Sequence, residues 1–180
     1  MSLRKTRKLQ RKRIHTSRSC ILKRKGERVC GETEKDWITP TLCIGNLYSN
    51  YKEFDIVVNA NYPYNKVKHG SIAEKEKKLG KHAYTLYLVG LCDHDSEPIL
   101  EYVDNLIPRL RKKYEENPKR TFLFHCFAGR SRSVTLALAF MVEVMGMTYK
   151  DALKLVKEKR QMVKPRALFI ETLRKKYSTI

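Results

Sequence analysis

At 180 residues and 42% hydrophobic content, the chain suffices for one compact domain and a tail, and with no internal repeat along it a second domain is not expected. No apolar run approaches the roughly 18 residues of a membrane span, and the basic N-terminus lacks the apolar segment of a secretory signal. The net charge of +19 is uneven: residues 1–28 hold twelve Lys or Arg against Glu27 alone, so they carry more than half of the excess.

Residues 1–35 have few apolar side chains and no sustained period, and are expected to form a basic, mostly disordered arm. The folded domain is expected over 36–180. Such an arm suits an anionic partner: nucleic acid, an acidic protein or an anionic membrane surface; nuclear import is a further use. An organelle presequence fits less well, because the arm is Lys-rich and shows no clear amphipathic pattern. The five cysteines, Cys20, Cys30, Cys43, Cys92 and Cys126, show no CxxC spacing. They argue against a zinc site or a disulfide framework and for a reducing location, cytoplasmic and/or nuclear. Cys43 and Cys92 lie in apolar stretches and read as small core residues. Either could trap an oxidised Cys126 if the fold brings it near.

Order is predicted to begin near Trp37, with a turn and a short strand over Ile38–Gly45. Phe54–Ala60 is β-branched and apolar, the pattern of a central strand. The Lys/Glu-rich residues 71–79 predict a short exposed helix. Tyr84–Val89 is a further strand, and Leu91–Pro98 a polar loop. Ile99, Leu100, Val103, Leu106, Ile107 and Leu110 recur at helical spacing, with Pro108 expected to kink or divide that helix. Thr121–His125 is a buried strand and 131–145 a helix apolar on nearly every face, ended by Gly146. Thr148–Asp151 opens another helix with capping-box spacing, its inner face Ala152, Leu153, Leu155 and Val156. Pro165 is expected to start the last helix, whose apolar members are Leu168, Phe169, Ile170, Leu173 and Tyr177. The sum is an α/β domain: a central mixed sheet flanked by helices, with a phosphate-binding loop between a strand and a central helix.

That loop is His125-Cys126-Phe127-Ala128-Gly129-Arg130-Ser131-Arg132-Ser133. A helix N-terminus offers free N–H groups and a positive dipole end, which suit a phosphate and favour a thiolate. Hydrolysis of a phosphate monoester needs an in-line nucleophile, a hold on the dianion and a proton for the leaving oxygen. Cys126 is the candidate nucleophile. Arg132 is the candidate clamp, since a guanidinium can bind two phosphate oxygens at once. The backbone N–H groups of residues 127–132 would encircle the remaining oxygens, so Phe127, Ala128, Gly129, Arg130 and Ser131 are candidate substrate-binding residues. Gly129 permits the tight curvature. Ser133 can donate to the Cys126 sulfur and help the thiolate leave. His125 is expected to order the loop by hydrogen bonding. No metal and no cofactor is required.

HCFAGRSRS resembles the signature loop of the cysteine-dependent dual-specificity protein phosphatases, of the small single-domain type. Ile38–Asn46, Val57–Ala60, Met147–Leu153 and Lys159–Pro165 resemble further family segments, so the likeness spans roughly 36–177. It implies a general-acid aspartate about thirty residues before the cysteine. Asp93 lies 33 positions upstream and Asp95 lies 31; the register of the following helix favours Asp93. Two departures stand out. Arg166-Ala167-Leu168 follow Pro165 where the family usually has Asn and a small residue. Arg130 stands where many protein-directed members have an aliphatic residue and some lipid-directed relatives a basic one.

The resemblance implies hydrolysis of phosphotyrosine and phosphoserine/threonine in phosphoprotein substrates through a phospho-cysteine. A phosphoinositide or phospholipid phosphatase is the alternative that Arg130 and the basic arm motivate. An RNA 5′-phosphatase fits the charge, but related RNA-directed enzymes carry Thr-His after the cysteine, where this chain has Phe127-Ala128. A phosphate-binding adaptor without turnover would be expected to lack the nucleophile, clamp or acid, and candidates for all three are present.

Overall fold

The computed structural model describes residues 21–23, 27–29, 34–62, 70–93 and 98–178, and the chain divides into two units, 1–31 and 32–180. In the first unit, strand β1 (Ile21–Lys23) pairs antiparallel with β2 (Glu27–Val29). This local pairing was not anticipated; the rest of the arm expected to be disordered lies outside the described residues up to Glu34.

The second unit holds a six-stranded sheet of β3 (Lys35–Trp37), β4 (Leu42–Gly45), β5 (Ile56–Asn59), β6 (Ile72–Leu79), β7 (His82–Val89) and β8 (Phe122–His125), in the order β3-β4-β8-β5-β7-β6. The inner four strands are parallel, and β3 and β6 close the two edges antiparallel. Alternate side chains therefore serve two faces. Leu42, Ile44, Ile56, Val58, Tyr87, Val89, Phe122 and Phe124 join the main core with residues of all four helices, α1 (Ile99–Glu116), α2 (Arg132–Glu143), α3 (Tyr149–Lys159) and α4 (Ala167–Tyr177). Cys43, Val57, Leu86, Leu88 and Leu123 face the other way, into a smaller cluster with Phe54 and Tyr51. So the helices lie on one face. Helix α2 is its centre: every residue from Ser133 to Val142 is buried. Among the described residues, no helix is long and apolar enough to cross a membrane.

The structure corrects three local expectations. Residues 72–79 are an edge strand, paired residue by residue with β7 through a two-residue turn at Gly80 (φ +66°) and Lys81. The Lys/Glu composition favours helix locally, but the neighbouring strand and the turn chemistry override it, and charged residues are apt at an unpaired edge. Helix α1 is not divided at Pro108. The proline sits on the exposed side, where water can reach the Asp104 carbonyl that it leaves without a donor. Helix α4 starts at Ala167 with Arg166 as its cap, so Pro165 lies before the first turn.

Parallel pairing aligns the carboxyl ends of β4, β5, β7 and β8 at one sheet edge. His125 at the end of β8 stands between Gly45 and Asn59. The loops that follow β7 and β8, carrying Asp93 and Cys126, thus leave the sheet on the same side. Open α/β sheets bind ligands at such an edge.

Candidate active site

Between β8 and α2 the chain bends into a tight cradle over Cys126–Arg132. Each carbonyl from Phe127 to Ser131 has a donor on another segment or on α2. Leu47 N–H donates to Phe127, Arg160 Nη2 to Ala128 at 3.3 Å, Arg160 Nε to Gly129 at 2.8 Å, and Lys164 N–H to Arg130; Thr135 donates twice to Ser131. In a trans peptide the C=O and the next N–H point opposite ways. Turning these carbonyls to outer partners therefore turns the N–H groups of residues 128–132 inward, as an oxyanion requires. Gly129 is at φ +66°, and a Cβ there would collide with the Gly45 backbone. A larger residue would force the cradle off β4.

The Cys126 sulfur is buried at the cradle floor. It accepts from Gly129 N–H at 3.2 Å and from the Ser133 hydroxyl at 3.3 Å. Burial alone would push the thiol up. The Ser133 hydroxyl, the Arg132 charge and the backbone N–H groups of Ser133 and Gly129 outweigh it, so its pKa lies below that of an ordinary thiol. Ser131 heads α2 but makes no side-chain cap to it. The N-terminal amides keep their capacity for an anion.

Arg132 occupies the first turn of α2. Its Nη1 donates to the Leu91 carbonyl at 3.4 Å, and its buried Nε has no partner among the described residues. Asp93 Oδ1 accepts from the Ser131 hydroxyl at 2.8 Å and from Arg166 Nε at 3.2 Å. The structure so gathers Cys126, Arg132, Ser133 and Asp93 around one cradle. Asp95, the other acid candidate, lies outside the described residues. Phe127 stands at the rim, 53% exposed. Arg130 is half-buried, its Nε bonded to the Met162 carbonyl at 3.1 Å, rather than a charge facing solvent.

His125 is buried, and burial lowers its pKa to about 4, so the ring is neutral near pH 7. A 2.6 Å hydrogen bond joins its Nε2 to the Tyr51 hydroxyl, a partner outside the loop that it was expected to order. Tyr51 was missed, and no sequence signal marks a contact spanning 74 residues. Arg160 was also missed as a support. Its fully buried side chain holds two cradle carbonyls from behind and pairs with Asp36 of β3. A signal existed: Arg160 continues the buried i, i+4 stripe of Ala152 and Val156, a place where a lone arginine needs acceptors.

Cys43 and Cys126 are not brought together, because Cys43 belongs to the cluster on the opposite sheet face. Burial pushes the Cys43 thiol up to about 12, so it is inert as a nucleophile. Cys92 is half-buried next to Asp93 and free, less a core residue than expected.

The family model for the dual specificity phosphatase catalytic domain matches residues 45–179. The chain is 28% identical over 141 residues to Dual specificity protein phosphatase 1 of Arabidopsis thaliana, a match covering 78% of this chain and 70% of that protein. It is 36% identical over 77 residues to Dual specificity protein phosphatase 8 of Homo sapiens, covering 40% of this chain but 12% of that protein. Several relatives are thus matched over a minor part of their length. Among solved structures, PTPMT1 in complex with PI(5)P superposes with a TM-score of 0.63 at 19% identity, covering 82% of this chain and 96% of that one. At that identity the likeness is one of fold.

Proposed function

The chain belongs to the dual specificity phosphatase catalytic-domain family, and on that premise we propose that it hydrolyses phosphate monoesters on phosphotyrosine and phosphoserine/threonine proteins through a phospho-cysteine. The observation that carries this reading is the pairing of nucleophile and acid on one cradle. Cys126 takes two hydrogen bonds at its sulfur, and Asp93 is bonded to Ser131 of the same loop.

In the first step the Cys126 thiolate attacks phosphorus. The P–O bond to the leaving group breaks as Asp93 gives that oxygen its proton. The inward N–H groups and Arg132 hold the three phosphoryl oxygens, whose charge the transition state spreads. In the second step water attacks phosphorus, Asp93 takes up the water proton, and the P–S bond breaks. Ser133 donates to the departing thiolate. The step needs a stabilised sulfur anion, which the lowered Cys126 pKa supports.

A phosphoinositide is the second reading, favoured by the half-buried Arg130 beside the cradle and by the structural neighbour solved in complex with PI(5)P. The basic residues of 1–28 are proposed to serve an anionic partner, with the protein acting in cytoplasm, nucleus or both. Phosphate release by the wild type and Cys126→Ser separates the readings, at one ionic strength on phosphotyrosine and phosphothreonine peptides, phosphoinositides and 5′-triphosphate RNA. The wild type clears both peptides and the variant none. Inert peptides with turnover of a lipid or RNA would overturn the protein-directed reading.

A further inference from the structure

We propose that Arg166 is the positioning residue for the general acid, and that its grip on Asp93 sets how well the site cleaves phosphate from aliphatic rather than aromatic hydroxyls. The inference rests on the reading of Asp93 given above and deepens it. Three segments distant in sequence meet in a closed triangle. The Ser131 hydroxyl donates to Asp93 Oδ1 at 2.8 Å, Arg166 Nε donates to the same oxygen at 3.2 Å, and Arg166 N–H donates back to the Ser131 hydroxyl at 3.3 Å. Arg166 is thus bonded to the acid by its side chain and to the cradle by its backbone.

The placement of these bonds matters more than their number. Among the described residues both contacts on Asp93 fall on Oδ1, which leaves Oδ2 as the oxygen to carry the transferred proton. A carboxylate held by Ser131 alone could swing about one contact; a second donor on the same oxygen fixes its direction. Ser131 forgoes capping α2 to make its bond, so that hydroxyl is committed to the clasp. Asp93 and Arg166 are 40% and 39% exposed, where an ion pair adds little to stability. The pair's effect is therefore on geometry, and small misplacements of a catalytic group are costly to rate.

Chemistry names the substrates that would notice. A phenolic oxygen leaves with a pKa near 10, and an activated aryl oxygen lower, whereas the oxygen of serine or threonine is far more basic and depends on the acid for its proton. Loosening the clasp should thus penalise phosphothreonine most and an activated aryl phosphate least.

The test is a double-mutant cycle of Arg166→Gln and Asp93→Asn, with kcat and KM measured on para-nitrophenyl phosphate, a phosphotyrosine peptide and a phosphothreonine peptide. Arg166→Gln is expected to lower kcat/KM, which reports the steps through cysteine phosphorylation, on the phosphothreonine peptide about tenfold, part of the roughly 10²–10⁴-fold that a general acid supplies, with KM little changed. On para-nitrophenyl phosphate the loss in kcat/KM stays within about twofold, and on the Asp93→Asn background Arg166→Gln adds no further loss. Equal losses on all three substrates, a change confined to KM, or a loss that persists without Asp93 would overturn the clasp while leaving the phosphatase reading intact. Absence of turnover by the wild type on every substrate would overturn both.

Discussion

The chemistry rests on how few atoms touch one sulfur. Ser133 supplies a hydroxyl to Cys126, and its loss removes a hydrogen bond to the buried sulfur that departs as an anion in the proposed second step. Ser133→Ala should slow phosphoenzyme breakdown roughly 10- to 100-fold, since a bond to a charged group contributes about 1.5–3 kcal/mol. It should also move the pH midpoint of Cys126 alkylation by iodoacetamide upward, because the lost donor favoured the thiolate; an unmoved midpoint would contradict that role. His125 gives a second residue-scale consequence. An unfolded histidine takes a proton below about pH 6.5, while the buried ring stays neutral until about pH 4. Between those values the unfolded state binds more protons, so stability falls as pH drops. Urea unfolding should show about 2 kcal/mol lost from this group between pH 7 and pH 5, and a His125→Gln variant a correspondingly shallower dependence.

At the scale of elements, the cradle keeps its shape because α3 reaches back to it. Arg160 joins the end of α3 to two cradle carbonyls and to Asp36 of β3, so three segments share one guanidinium. A lysine offers one ammonium where the site needs a fork. Arg160→Lys should therefore lower stability by about 2 kcal/mol or more in urea titration, and lower kcat with it. The sequence revealed the elements whose pattern is local: the apolar, β-branched central strands, the wholly apolar α2, the Thr148 cap. Cys126, Arg132 and Ser133 were legible because one loop holds all three. The helix expected over 71–79 failed because its composition speaks for helix while pairing with β7 decides otherwise. Tyr51 and the Arg166–Asp93 contact were illegible because each spans distant parts of the chain, where nothing in local composition records the neighbour, while the stripe of α3 marked Arg160 as buried without naming its acceptors.

For the whole molecule, charge and catalysis lie in different parts of the chain. Residues 1–28 hold most of the excess positive charge, while the matched family domain begins at residue 45. A chain of residues 32–180 should keep its kcat/KM on para-nitrophenyl phosphate within about twofold of the full chain, yet lose retention on a polyanionic matrix, whose strength falls log-linearly with salt. Loss of small-substrate turnover on truncation would show that the arm takes part in the chemistry. The central claim is the covalent step at Cys126. It is tested most directly by acid-quenching the enzyme during turnover of para-nitrophenyl phosphate, whose easy leaving group lets the phosphoenzyme accumulate, and locating bound phosphate by peptide mass spectrometry. The account predicts one phosphoryl group on the Cys126 peptide, appearing and decaying at the rate of turnover and absent from Cys126→Ser. Phosphate release with no phosphoryl-cysteine, or continued turnover by Cys126→Ser, would contradict it.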